Sequence, residues 1–248
     1  MELTVLGAGP AYSNRPGALG SAYLVTHDGA AIVLDLGQGT FTELALATEP
    51  RDLAGVFVSH LHPDHFIDLV PLRHYLHYEC RPPARVAVFG PAGLETRLDA
   101  LHAEPGFATA ALEIGVLAPG EISVGPFTIE AARVAHLADS YAFRVTIGVG
   151  RVGLVYSGDC GRVEDLVALV RPGDTVLVEV SFGTSPVPSG AWHLNADDVA
   201  DLAQRARPGA IFLTHLQMGF DPAAVLARVR AAYGGPVRFV TRGERLSI

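Results

Sequence analysis

The sequence predicts an α/β fold in which two β-sheets pack face to face with helices on their outer sides. Three observations carry this expectation. Short β-branched apolar runs dominate both halves of the chain, Gly and Pro punctuate them, and amphipathic helical stretches are interspersed at only a few places. Two packed sheets fit that pattern better than one continuous parallel sheet. No linker, low-complexity tract or short-period repeat interrupts the 248 residues, so one domain spanning 1–248 is expected.

In chain order, strand-like runs cover Leu3–Leu6, Ser21–Thr26, Ala31–Leu34, Gly55–Ser59 and Arg85–Phe89. They continue with Phe127–Ala135, Ala142–Ile147, Val152–Ser157, Thr175–Val180, Ala210–Thr214 and Val237–Val240. Their β-branched and aromatic residues pack well on a pleated surface. Gly148-Val149-Gly150-Arg151 reads as a hairpin turn between two of them. Pro91 and Gly93 open a helix carrying Leu94, Leu98 and Leu101. Asn195 caps a second, with Val199, Leu202, Ala203 and Ala206 on one face. Asp221 and Pro222 start a third, holding Val225, Leu226 and Val229, and Gly234-Gly235 ends it.

Apolar residues make up 49% of the chain, enough for a large core and too many for disorder. A formal net charge of −8 repels polyphosphate at long range, which weighs against unspecific nucleic-acid binding. Two cysteines, Cys80 and Cys160, do not make a disulfide framework, and a reducing cytosol is their natural setting. The start, Met1–Gly7, enters a strand without a secretory pattern. No apolar run is long enough to cross a bilayer. A cytoplasmic protein with no membrane contact is expected.

The chemistry concentrates in Ser59-His60-Leu61-His62-Pro63-Asp64-His65, directly after the apolar run Gly55–Val58. Side chains at i and i+2 of an extended segment project to the same side, so His60 and His62 can bind one ion together. The turn at Pro63 lets Asp64 and His65 point to a neighbouring site. Mixed imidazole and carboxylate donors suit zinc, with Mn2+ or Fe2+ as alternatives. Further candidates stand where other apolar strands end: His136, Asp159 in Tyr156-Ser157-Gly158-Asp159, and His215. Strand exits are where a sheet fold gathers its functional side chains.

The order His-x-His-x-Asp-His, then His136, Asp159 and His215, resembles the five-motif signature of the metallo-β-lactamase superfamily. The early Val33-Leu34-Asp35-Leu36-Gly37 resembles a further recurring element, and the likeness runs over nearly the whole chain. It implies a four-layer αββα sandwich. It also implies that His60, His62 and His136 hold one metal, that Asp64, His65 and His215 hold the other, and that Asp159 bridges them. Asp35 would orient ligands from behind. Glu179 in Leu177-Val178-Glu179-Val180-Ser181 and His193 in His193-Leu194-Asn195-Ala196 resemble elements of the ribonuclease Z-like branch. There the histidine serves the scissile phosphate, so His193 is expected as general acid or oxyanion donor, oriented by Glu179. His193, Glu179 and Asp64 form the expected catalytic set.

The chain departs from ribonuclease Z in two ways. The interval between His136 and Asp159, where a tRNA-gripping arm normally intervenes, holds only the hairpin Ala142–Ser157, and Val178 replaces the histidine before the glutamate. Ser59–His65 with Asp68-Leu69, Val134-Ala135-His136, Tyr156–Asp159, His193-Leu194 and Leu213-Thr214-His215 resemble more closely an actinobacterial branch that includes an atypical cyclic-AMP phosphodiesterase. The expected function is hydrolysis of a small phosphodiester, such as a cyclic nucleotide, by water activated at two zinc ions. A carboxylic ester, lactone, thioester or β-lactam hydrolase is the first alternative, an RNA nuclease the second and a non-catalytic metal-binding module the last. The expected partner is a small-molecule substrate, with a homodimer left open.

Arg15 and Arg144 are candidate phosphate contacts. The Gly7-Ala8-Gly9-Pro10-Ala11-Tyr12 segment lacks the third glycine of a dinucleotide motif and is expected to rim the site as a loop. Cys160 is expected to pack rather than ligate, and His74 and His77 to serve surface or packing roles.

Overall fold

The computed structural model describes residues 1–148 and 152–248, so of the expected turn at Gly148–Arg151 only Gly148 lies within the described residues. The first of two seven-stranded sheets contains β1 (Glu2–Gly7), β2 (Ala22–His27), β3 (Ala30–Leu36), β4 (Gly55–Phe57), β5 (Val86–Gly90) and β6 (Leu112–Val116). The chain's last strand, β14 (Arg245–Ser247), joins it beside β1. The second sheet contains β7 (Gly120–Val124), β8 (Phe127–Arg133), β9 (Tyr141–Ile147), β10 (Leu154–Tyr156), β11 (Thr175–Glu179), β12 (Ala210–Thr214) and β13 (Val237–Phe239), in sequential order. Each sheet is antiparallel on one side and parallel on the other, the change falling at β3 and at β10.

Three buried apolar layers hold the sheets and helices together. Leu3, Val5, Ile32, Leu34 and Phe57 of the first sheet meet Ile129, Phe143, Val145 and Leu177 of the second. On β3 the neighbours Ala31 and Val33 face the other way, into a layer with Leu44 of α1 (Thr40–Ala47), Leu69 and Leu72 of α3 (Leu69–His74), and Leu94 and Leu98 of α4 (Leu94–His102). The short α2 (Pro63–Phe66) adds Phe66 to that layer. Behind the second sheet, Val176 and Val178 pack with Leu166 of α5 (Val163–Leu169), Val199 and Leu202 of α6 (Ala196–Ala206), and Val225 and Val229 of α7 (Pro222–Arg230). Because both faces of these strands are buried, they read as continuous apolar runs although their side chains alternate.

Local signals explain several boundaries. The Asn195 side chain accepts from the Asp197 and Asp198 amides while Asp198 caps the Asn195 amide, a complete capping box for α6. Asp221 accepts from the Ala223 amide at the start of α7. Leu101, expected on the apolar face of α4, is 53% exposed, and Leu94 and Leu98 carry the packing instead. The helices α1 and α5 and the strands β6, β7 and β14 lie outside the elements expected from sequence. The partly exposed strands β6 and β7 alternate polar and apolar residues, a weaker signal than the buried strands give. Among the described residues, no helix is long and apolar enough to cross a membrane.

Candidate metal centre

Strand direction brings the candidate ligands to one edge. Strands β10, β11 and β12 run parallel, and β8 lies two antiparallel steps from β10, so all four point their C-terminal ends the same way. Those ends lead to Asp159, Glu179, His215 and His136. The His60–His65 turn leaves β4 in the facing sheet. At this edge the Tyr141 amide donates to the Ser59 carbonyl (2.9 Å) and the His215 amide donates to the Ala8 carbonyl (3.1 Å), joining the two sheets. The loop after β1 therefore packs on a ligand-bearing loop, as expected of a rim.

The structure brings all seven predicted ligands together, in two groups. His60 Nε2 and His136 Nε2 lie 3.0 and 3.1 Å from His62 Nδ1, and both lie 3.7 Å from Asp159 Oδ2. In the second group, His215 Nε2 lies 3.3 Å from His65 Nε2 and 3.2 Å from Asp64 Oδ2. Asp159 Oδ1 faces this group, 3.5 Å from His65 Nε2 and 3.4 Å from His215 Nε2. One carboxylate thus turns one oxygen to each group. Converging imidazole nitrogens leave room for few protons between them, and the buried Asp159 Oδ1 has no hydrogen-bond partner among the described residues. A partnerless buried oxygen is costly, and a cation is the partner these donors fit. The donor atoms of each group lie within 4.8 Å of one another, a cluster that can hold a divalent metal ion.

A buried network holds the second group from behind. Asp35 accepts from the Ser59 amide (2.6 Å) and, at Oδ2, from the hydroxyls of Ser59 (2.7 Å) and Tyr156 (2.6 Å). His65 Nδ1 donates to the same oxygen at 2.7 Å, which turns Nε2 toward the cluster. Ser181 Oγ lies 3.0 Å from His215 Nδ1 and donates to the His215 carbonyl. Asp35 and His215 both adopt φ of +58°, a left-handed conformation uncommon outside glycine that Asp and His enter more readily than most residues. Gly158 is required before Asp159: its φ is +55°, and a Cβ there would meet the Tyr141 carbonyl at 2.8 Å and Ser59 Cβ at 2.9 Å. Ser59, Tyr156 and Ser181 are supports that sequence reasoning did not single out. Their only signal is a hydroxyl next to a candidate ligand or strand exit.

Protonation suits ligation in the group of His60, His62 and His136. In the second group burial opposes a charge on His65, yet Asp159 and Asp35 raise it well above the usual imidazole range, so its Nε2 proton leaves when a cation binds. Burial, and then the neighbouring His65 charge, hold His60 well below the usual imidazole range. Burial likewise lowers His62 and His136, so all three stay neutral, the form that binds metal. Burial opposes ionisation of Asp159, yet the His215 and His65 charges hold it well below the usual carboxylate range. Asp64 is lowered as well, against burial, by hydrogen bonds from His215 and His65.

His193 stands beside the cluster, its Nδ1 donating to Glu179 Oε1 at 2.9 Å and lying 3.8 Å from Asp159 Oδ2. Its ring meets that of His136 at 4.8 Å, and with Asp159 and His215 it forms a third group of potential donors. Burial alone would lower its pKa, but the Glu179 charge and hydrogen bond, with Asp159 behind them, raise it to about 9. Glu179 is itself buried and accepts from the Cys160 and Ser181 amides, which fixes its orientation.

Other expectations resolve plainly. Cys160 is buried and donates its thiol to the Arg162 carbonyl, outside both ligand groups. Arg15 is not free for phosphate: its guanidinium donates to the carbonyls of Leu216, Gln217 and Phe220 and ties the loop after β1 to the loop after β12. Arg144 pairs with Asp174, at the opposite end of β11 from Glu179. Both phosphate assignments are therefore corrected. His74 bonds the Val70 carbonyl and packs with Tyr78, His102 and Phe107, and His77 packs against Tyr78, away from the cluster.

The family described as Beta-lactamase superfamily domain matches residues 32–216. An uncharacterized protein of Mycobacterium leprae is 31% identical over 100% of this chain and 89% of its own length. A ribonuclease Z of Haloferax volcanii is 26% identical over 100% of this chain and 95% of its own. Among solved structures, the metallo-beta-lactamase fold protein YhfI of Bacillus subtilis superposes with a TM-score of 0.86 at 21% identity, over 99% of this chain and 98% of that one. A diphosphatase from the PhnP family superposes with a TM-score of 0.78 at 18% identity, over 100% and 97% of the two chains. These likenesses show the fold: two sheets flanked by helices, in the metallo-β-lactamase arrangement.

Proposed function

The chain belongs to the beta-lactamase superfamily, and from that membership we propose that it is a two-metal phosphodiesterase acting on a small phosphodiester such as a cyclic nucleotide. His60, His62 and His136 hold one cation, Asp64, His65 and His215 the other, and Asp159 serves both; the imidazole-rich donor set favours zinc, with Mn2+ or Fe2+ as alternatives. The chemistry a pair of divalent cations supplies when bound is acidification of water and neutralisation of charge on phosphate oxygens.

The observation that carries the phosphodiester reading is His193. It lies at the cluster but outside the seven ligands, with Nδ1 fixed on the buried Glu179. Nε2 is then left to face substrate, where it donates a proton to the departing oxygen or a hydrogen bond to a non-bridging one. Glu179 acts through His193 as a positioning residue. Asp64 contributes through the second group, in contact with His215 and His65. The likeness to a ribonuclease Z and to a diphosphatase supports chemistry at phosphorus over chemistry at a carbonyl. Against an RNA substrate stand the net charge of −8 and the interval from His136 to Asp159, which holds β9 and β10 in place of an extended arm.

Metal-loaded protein screened against cyclic nucleotides, bis-(p-nitrophenyl) phosphate, short RNA, tRNA precursor, lactones and thioesters tests this reading. Small phosphodiesters should be turned over fastest. Efficient tRNA 3′-end cleavage, or lactone or thioester hydrolysis far outpacing every phosphodiester, would overturn it.

A further inference from the structure

Trp192 is the chain's only tryptophan and is 51% exposed, although it directly precedes His193. Its backbone is anything but loose. The Trp192 carbonyl accepts from His136 Nδ1 at 2.7 Å. On its other side the backbone lies against Gly161, two residues after Asp159, where a Cβ would come within 2.5 Å of Trp192 Cα. The main chain is thus clamped between two ligand-bearing turns while the indole is left to solvent. Leu137, the residue after His136, is also exposed, at 40%. Single exposed apolar side chains are ordinary on a protein surface, so what sets Trp192 apart is its place: its backbone is pinned to the His136 and Asp159 turns and its neighbour in sequence is His193. The stretch Phe182–Trp192 contains no Asp, Glu, Arg or Lys, so no charged side chain on it attracts a polyanionic backbone.

We infer that Trp192 is a stacking platform at the mouth of the metal centre for a planar aromatic group, a nucleobase or aryl ring, carried by the substrate. The inference deepens the phosphodiester reading and rests on it for the placement of the phosphate. Stacking needs only a π-face on the partner, so it would select aromatic esters without reading a particular base.

Because Trp192 is the sole tryptophan, its emission reports this one position. Full-length, metal-loaded protein is titrated with adenosine 5′-monophosphate and, separately, with ribose 5-phosphate. The nucleotide should quench the indole saturably and bind on the order of tenfold more tightly than the sugar phosphate. In turnover, W192A should raise KM for an aromatic phosphodiester by about tenfold, with the loss falling on KM rather than kcat, and W192F should recover most of it. Equal affinity for the two probes without quenching would overturn the inference. So would a W192A effect equal on aromatic and non-aromatic phosphodiesters, or emission that responds to protein concentration alone, which would mean that a second copy covers the indole. If the base tightens binding and quenches while no phosphodiester is turned over, the platform stands and the phosphodiester reading falls. If phosphodiesters are hydrolysed and the base gives no advantage, the reading stands and the platform falls.

Discussion

The two ligand groups use the same residue types but are supported unequally. Asp64, His65 and His215 are all buried, whereas His62 and His136 are only partly so. Behind His65 and His215 stand Asp35, Ser59, Tyr156 and Ser181, each hydrogen-bonded in turn. In the other group, His136 leans on the Trp192 carbonyl and His60 on Ser59 Oγ, and the hydrogen bonds of His62 among the described residues go only to His60 and His136. Partners behind a ligand fix its tautomer and direction before any cation arrives, and they raise its basicity. The difference teaches that two groups sharing one carboxylate need not bind alike: the buried group is preorganised, and the other is more open to solvent.

The largest expected effect falls on what the groups share. Asp159→Ala removes an oxygen from both, so metal content should drop below two equivalents and turnover fall on the order of a thousandfold or more. Elemental analysis and rates on the same preparation check this. Two tightly held equivalents with ordinary turnover would mean that Asp159 bridges nothing.

His193→Ala should separate chemistry from metal binding. Both equivalents should remain while the rate falls by roughly a hundredfold, the scale for one positioned acid or oxyanion donor. A smaller loss with p-nitrophenolate leaving groups would mark general-acid action, and an equal loss would mark oxyanion stabilisation. Unchanged turnover would return His193 to a plain residue before α6.

Asp35→Asn sharpens the comparison directly. Wild-type protein titrated with a chromophoric chelator should release its metals in two steps, the open group first. The substitution weakens the hold on His65, and the tighter step should lose about ten- to a hundredfold in affinity, bringing the two together. A single step in the wild type, or an unchanged second step in the variant, would break the contrast between the groups.

The smallest effect is expected beside the largest. Cys160 adjoins Asp159, but its thiol is pushed up by burial and directed to a carbonyl. Cys160→Ala should keep both metals and stay within about twofold of the wild-type rate, and the native thiol should resist alkylation at neutral pH. Metal loss in Cys160→Ala but not in Asp159→Ala would reverse the assignment at this turn.

Much of the site was legible because its residues break the chemistry of their surroundings. His60, His62, Asp64 and His65 form a dense polar cluster after a buried strand, and His136, Asp159 and His215 each end an apolar run. Helix starts at Asn195 and Asp221 were legible for the same reason: capping is local, and local chemistry is written in neighbouring residues. The sequence by itself thus determined which side chains are available and which strand ends expose them. Only the tertiary structure decided their company. Strand order and direction put β8, β10, β11 and β12 on one edge against the β4 turn, and no local pattern encodes a pairing between residues 150 positions apart, such as His65 with His215. The same holds for Arg15, whose charge pointed to phosphate until three carbonyls from a distant loop claimed it, and for Tyr156, whose hydroxyl meets Asp35 across the sandwich. Such partners are chosen by packing over the whole chain, because a buried polar atom must be satisfied by whatever the fold brings beside it.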